Sequence, residues 1–186
     1  MLELKKRLAR LLLQKSYREG DFTLSSGRKS DYYFDCRQTA LHPEGAWLIG
    51  NLFADLLKES EVVAVGGMTL GADPLVSATM LAAREQGRLL SGLLVRKEAK
   101  GHGAKQFIEG LANVVPGDRV AMLEDVVSSG ASLLKACQRV QDAGLQVASV
   151  CTILDREEGG RATLQAAGFE LQALFTRQEL VHLGKN

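Results

Sequence analysis

The sequence predicts an α/β fold: a central, mainly parallel sheet flanked by helices, with a small N-terminal hood. Three observations predict it. From about residue 61 onward, strand-like runs alternate with helical segments. The strand runs are apolar almost throughout, as expected for strands covered on both faces. The first 60 or so residues are less regular and read as a cap over the main sheet. With 186 residues, no internal repeat and no linker-like tract, the chain reads as one domain: a hood over about 1–60 and a core over about 61–186.

Each element has a local reason. Leu4, Leu8, Leu11 and Leu12 recur at helical spacing between lysines and arginines, which predicts a helix over about 2–18 that Gly20 stops. Residues 21–38, "DFTLSSGRKSDYYFDCRQ", place β-prone residues around a polar turn and predict two short strands. A helix over 42–60 carries Pro43 in its first turn. A short buried strand, 61–67, ends in glycines. A helix over 73–87 has Asp73 as its N-cap, Pro74 at its first position and Gly87 as its stop. Strands are predicted at 89–96, 119–126 and 146–155. Between the last two, a helix over 131–144 has Leu133, Leu134, Ala136, Cys137 and Val140 as its apolar face and Gly144 as its end.

Composition narrows the function. A net charge of +1 gives no basis for general nucleic-acid or membrane binding. No stretch approaches the roughly 20 apolar residues of a membrane span, and the charge-interrupted N-terminus does not read as a secretory signal. Cys36, Cys137 and Cys151 are odd in number and lack C-x-x-C spacing, which fits buried thiols in a reducing compartment. A soluble cytoplasmic protein is expected.

Two stretches carry the chemistry. In "EDVVSSGAS" (124–132), two acids stand at the carboxyl end of an apolar strand, and small residues lead into a helix N-terminus. Ligands of open α/β sheets bind at such strand ends. Backbone N–H groups and the helix dipole there favour an anion, and Ser128, Ser129, Gly130 and Ser132 suit a phosphate. Glu124 and Asp125 would repel that phosphate, so they need another purpose: accepting hydrogen bonds from sugar hydroxyls, or holding Mg²⁺. A phosphorylated sugar uses all of these parts. Otherwise the stretch is a solvated strand end with a well-made cap. In "RKEAKGHGAKQFIEG" (96–110), Arg96, Lys97, Lys100, His102 and Lys105 lie within ten residues, with Gly101 and Gly103 beside the histidine. This is either a mobile surface loop or one that closes over a highly charged anion. Tyr32, Tyr33 and Phe34 either stack on a planar ligand or alternate along a half-buried strand. Arg156, after the strand at 146–155, either clamps a carboxylate or forms a surface ion pair.

Together these segments bring a resemblance. "VAMLEDVVSSGAS" resembles the phosphoribosyl-pyrophosphate (PRPP) motif of type I phosphoribosyltransferases. The loop "RKEAKGHGAKQFIEG" and the segment "FTLSSGRKSDYYFD" are similar to those of orotate phosphoribosyltransferases, and the three segments, in order, cover most of the chain. The resemblance implies the type I phosphoribosyltransferase fold and the reaction of orotate with PRPP, dependent on Mg²⁺, to give orotidine 5′-monophosphate and pyrophosphate. It implies that Glu124 and Asp125 bind the ribose hydroxyls, and that Val126, Val127, Ser128, Ser129, Gly130, Ala131 and Ser132 hold the 5′-phosphate. Arg96, Lys97, Lys100 and His102 would meet the pyrophosphate. Orotate would lie against Ser128, Arg156, Tyr33 and Phe34, with Arg156 on its carboxylate. Lys100, His102 and Asp125 are the implied catalytic residues, and Mg²⁺ is implied to arrive mainly through PRPP and water, with no direct protein ligand assigned. A homodimer sharing this loop between subunits is implied, with no nucleic-acid or membrane partner. Two departures stand out: Ser25 where many relatives carry Lys, and Leu70 and Gly71 where many carry Tyr-Lys. A purine phosphoribosyltransferase or a non-catalytic PRPP-binding regulator would share the acid-pair motif. The KGHG loop and the tyrosine-bearing segment favour orotate.

Overall fold

The computed structural model describes residues 1–23, 29–98 and 107–185. The chain runs α1 (Leu2–Lys15), β1 (Tyr17–Thr23), β2 (Lys29–Phe34), α2 (Arg37–Ala40), α3 (Pro43–Leu56), β3 (Ala64–Met68), α4 (Asp73–Glu85), β4 (Ser91–Val95) and β5 (Ile108–Glu109). It continues with a 3₁₀ turn at Leu111–Asn113, then β6 (Arg119–Val127), α5 (Ala131–Asp142), β7 (Gln146–Asp155), α6 (Gly160–Ala166), β8 (Leu171–Thr176) and α7 (Arg177–Lys185). Among the described residues, six strands form the main sheet in the order β5-β4-β3-β6-β7-β8, and β1 and β2 form a separate antiparallel hairpin. Every pair in the main sheet is parallel except β4–β5. This is the mainly parallel, helix-flanked sheet that the apolar runs predict.

Two apolar clusters cover the two faces. Val120 and Met122 of β6 pack with Leu133, Ala136, Cys137 and Val140 of α5. Ala121 and Leu123, on the opposite face by strand alternation, pack with Leu75 of α4 and with Leu8, Leu12, Leu48, Leu52 and Phe53 of α1 and α3. The hood's apolar residues are therefore continuous with one face of the sheet. No helix among the described residues is long and apolar enough to cross a membrane.

Several boundaries differ from the sequence expectation, each for a physical reason. The first helix ends at Ser16, not Gly20. Tyr17 instead starts β1 and stacks on Tyr32 of β2, 5.4 Å between ring centroids, so a cross-strand aromatic pair outweighs continued helix. Gly20 lies inside β1, where the pairing register shifts between Glu19 and Phe22. Asp73 is the first residue of α4 rather than its cap, and the cap position falls to Ala72. Elements β5, α6, β8 and α7 have no counterpart in the sequence reading. Strand β8 extends the sheet beyond β7, and α7 lies against α1 so closely that a Cβ on Gly184 would stand 3.0 Å from the Ala9 carbonyl oxygen.

Helices α3 and α4 also meet at contact distance: a Cβ on Gly50 would overlap the Ala78 carbonyl. Gly50→Ala must push the two helices apart in a close-packed core, and it is expected to cost about 1–3 kcal/mol. Urea denaturation should show a lower midpoint with an unchanged slope.

Candidate active site

Strand β6 delivers the acid pair. It lies between β3 and β7, its residues Val120–Leu123 are wholly buried, and alternation sends Glu124 toward the α5 side and Asp125 toward the hood side. Both line a cleft of about 460 Å³ at the carboxyl end of the sheet. Glu124 is only 7% exposed. Burial, and secondarily the neighbouring Asp125 charge, push its carboxyl up to about 8. Burial raises Asp125 as well, although Asp125 Oδ1 accepts a 2.8 Å hydrogen bond from the Val126 amide. Glu124, the more deeply buried of the two, therefore keeps its proton near neutrality.

Beyond the acids, the chain turns into α5. Residues 126–133 line a second cavity of about 180 Å³, which shares Glu124, Val126 and Ser132 with the cleft. Gly130 takes a left-handed φ of +80° just before Ala131, and a Cβ there would meet the Gly160 carbonyl oxygen at 3.0 Å. In turn, a Cβ on Gly160 would stand 2.6 Å from the Ser128 carbonyl oxygen. Two glycines thus let the serine loop fold tightly against the start of α6. The result is a concavity at the N-terminus of a 12-residue helix, with serine hydroxyls and backbone donors suited to one phosphate group.

The cleft's other walls come from β3 and the hairpin. Past β3, Met68–Gly71 form one wall, and the Thr69–Leu70 peptide is cis. Gly71 passes so near Asp125 that an added Cβ would lie 2.9 Å from its Oδ1. Tyr33, Phe34, Asp35, Cys36 and Arg37 form the facing wall, and Lys97 stands at the rim. Alternation along β2 settles the aromatic run: Tyr32 and Phe34 are in the core and Tyr33 points out. Arg37 bonds Asp35 at 2.8 Å, which holds the Asp35 carboxyl below its usual value.

The predicted residues thus fall into three groups. Tyr33, Phe34, Lys97, Glu124, Asp125, Val126 and Ser132 converge on the cleft, and Val127, Ser128, Ser129, Gly130 and Ala131 on the adjoining cavity. Arg96 and Arg156 line neither. Arg96 pairs with Glu109 at 3.1 Å. Arg156, 8% exposed, pairs with Glu158 at 3.0 Å and donates to Tyr32 Oη (2.9 Å) and Ser30 Oγ (3.3 Å). Lys100, His102, Lys105 and Ser25 lie outside the described residues. Sequence reasoning missed Asp35, Arg37 and Thr69 as cleft residues. Asp35 closes the segment "FTLSSGRKSDYYFD" and could have been found there, whereas Arg37 and Thr69 stand in no recognised pattern and reach the acid pair only through the fold.

A mainly parallel sheet ending in an acid pair, followed by a glycine-led cavity suited to a phosphate at a helix N-terminus, defines the type I phosphoribosyltransferase class. No protein-family model matches the chain. Two similar relatives are orotate phosphoribosyltransferases, from Nostoc sp. (45% identical, covering 95% of this chain and 85% of that one) and Thermosynechococcus vestitus (47%, covering 97% and 94%). The crystal structure of Mycobacterium tuberculosis orotate phosphoribosyltransferase in complex with Fe(III) dicitrate matches with a TM-score of 0.84 at 40% identity, covering 95% of this chain and 98% of that one. The same enzyme in complex with PRPP matches with a TM-score of 0.81 at 36% identity, covering 96% and 99%. This chain belongs to the orotate phosphoribosyltransferase family.

The raised Glu124 carboxyl has a stability consequence. The folded protein holds this proton up to about pH 8, whereas the unfolded chain releases it near the ordinary value of 4.5. Between those limits the folded state binds more protons, so stability falls as pH rises. Glu124→Gln, which cannot ionise, is expected to be more stable than the parent at pH 8 and to show little difference at pH 4.5. Denaturant midpoints at the two pH values check this.

Proposed function

We propose that this protein transfers the 5-phosphoribosyl group of PRPP to orotate, giving orotidine 5′-monophosphate and pyrophosphate in de novo pyrimidine biosynthesis. The observation that carries the reading is the acid pair at the end of β6, opening onto the phosphate cavity, in a chain 45–47% identical to orotate phosphoribosyltransferases over nearly its whole length. No observation favours a purine substrate or a non-catalytic regulator.

The geometry supports a division of labour. The 5′-phosphate takes the cavity over Val126–Ser132, and the ribose hydroxyls bond to Glu124 and Asp125. Burying the two acids makes them good acceptors for a sugar but poor hosts for a free anion. The bond between the anomeric carbon and the pyrophosphate oxygen breaks, and a bond from the orotate ring nitrogen to that carbon forms. Orotate is already anionic, so no strong base is required. Positive charge develops on the ribose ring, and the Asp125 carboxylate in the cleft would stabilise it. Negative charge grows on the leaving pyrophosphate, which Lys97, Lys100 and His102, with Arg96, would meet. Tyr33 offers its face to the orotate ring with core-packed Phe34 edging the same wall, and Ser128 and Arg156 offer its polar contacts, provided that Arg156 exchanges part of its pairing with Glu158.

Mg²⁺ fits this site as an ion delivered with PRPP. Two adjacent carboxylates on the cleft floor can reach such an ion through water, and Mg²⁺ commonly keeps waters and takes its remaining oxygens from substrate phosphates. When bound, it neutralises charge on the departing pyrophosphate. We further propose a cytoplasmic homodimer whose 96–110 loop serves the neighbouring subunit's cleft. Three buried free thiols agree with a reducing compartment.

Orotate's ultraviolet absorbance is expected to fall only with PRPP and Mg²⁺ both present, while adenine, guanine, hypoxanthine and uracil give no nucleotide. Lys100→Ala should slow turnover by about 10²-fold or more, the scale of losing one transition-state donor. Turnover of a purine in place of orotate would refute the assignment. Shared sites predict complementation: mixing inactive Lys100→Ala with inactive Asp125→Asn should restore activity toward about a quarter of the parent's, since half the dimers then carry one intact site. No recovery after subunit exchange would place each loop in its own cleft.

A further inference from the structure

An arginine on another element bonds the backbone that carries Lys97 to the cleft. Strand β4 ends at Val95, and β5 pairs only with Leu94 and Val95. The Arg96 and Lys97 carbonyls thus stand past the end of the ladder. Arg139, on α5, donates to both: NH1 to the Arg96 carbonyl oxygen, and NH2 to the Lys97 carbonyl oxygen at 3.0 Å. The same guanidinium lies over the Phe107 ring, 4.1 Å from its centroid. Phe107 in turn accepts a 2.8 Å bond from the Arg96 amide through its own carbonyl. One planar group therefore joins both described ends of the basic segment, 96–97 and 107, and fixes them to the helix whose first turn builds the phosphate cavity.

We propose that Arg139 is a positioning residue for the reaction: it sets Lys97 at the cleft rim and holds the stem of the basic segment in register with the phosphate cavity on α5. An arginine suits this place because its fork spans two successive carbonyls while its face stacks on an aromatic ring. A lysine would retain the charge and one bond. Nothing places Arg139 itself on a substrate; it lines neither cavity, so its effect must pass through the groups that it holds. The proposal rests on the phosphoribosyltransferase reading only in expecting a pyrophosphate-binding rim.

A double-mutant cycle tests it without requiring turnover. Affinity for inorganic pyrophosphate with Mg²⁺ is measured by calorimetry for the parent protein, Arg139→Ala, Lys97→Ala and the double variant. Arg139→Ala is expected to weaken binding about tenfold in the parent background and less than twofold once Lys97 is gone, because contacting residues couple. Arg139→Lys should fall between parent and alanine variant, and it repeats the cycle if Arg139→Ala proves poorly folded by thermal melting. An equal loss in both backgrounds, or an undiminished affinity in Arg139→Ala, overturns the inference. Orotate turnover by the parent is measured alongside. Its absence would defeat the substrate assignment while leaving the coupling result to stand or fall by itself.

Discussion

Setting two adjacent carboxyls, Glu124 buried and Asp125 half-buried, at the tip of the central strand is the constraint on which the rest of this site depends. An isolated buried carboxylate is unfavourable by several kcal/mol, and it escapes by taking up a proton or by finding donors. Glu124 does the first in the free protein, because burial pushes its carboxyl up to about 8, while Asp125 finds a donor in the Val126 amide. A sugar presenting two hydroxyls offers the second. The wholly buried apolar run Val120–Leu123 carries the pair to the cleft floor from a strand held between β3 and β7. Mobile surface acids would bind a sugar more weakly, since bulk water would compete for each acceptor.

Charge is then sorted by depth. The acids occupy the floor, while Lys97 and Arg37 stand among the cleft's lining residues and the α5 N-terminus opens beside it. A ligand with hydroxyls in its middle and phosphates at its ends matches this order, and a simple polyanion does not. Gly71 contributes by omission. A Cβ there would lie 2.9 Å from Asp125 Oδ1, so the missing side chain lets this wall pass close to the acid.

The hairpin is docked over the cleft by a small polar-aromatic cluster. Tyr32 stacks on Tyr17, with the guanidinium groups of Arg156 and Arg177 4.6 and 4.0 Å from its ring centroid. Arg177 also pairs with Asp31 at 2.7 Å. These contacts join β1, β2, the end of β7 and the start of α7, so the C-terminal helix helps to fix the wall that carries Tyr33 and Phe34. Arg156 serves this dock in the free protein, and its neighbour Asp155 is buried beneath Arg161 and the Glu157 amide.

Much of this was legible in the sequence, because its signals are local. Apolar runs marked β3, β4, β6 and β7, and the acid pair followed by small residues marked the site. Signals that depend on contacts between distant residues were not legible. The first helix stops for an aromatic stack across the hairpin, not for Gly20. Strand β8 and helix α7 become elements by extending the sheet beyond β7 and packing on α1. Arg37 and Thr69 reach the cleft only through the packing of the hairpin and of β3 around the acids. The sequence by itself determined the sheet's class, the buried strand that carries Glu124 and Asp125, and the family. Only the tertiary structure decided which side chains face the acids, which arginines are already paired, and that Arg139 ties the basic segment to α5. Those are distances between residues far apart in the chain, and they exist only once the helices have packed.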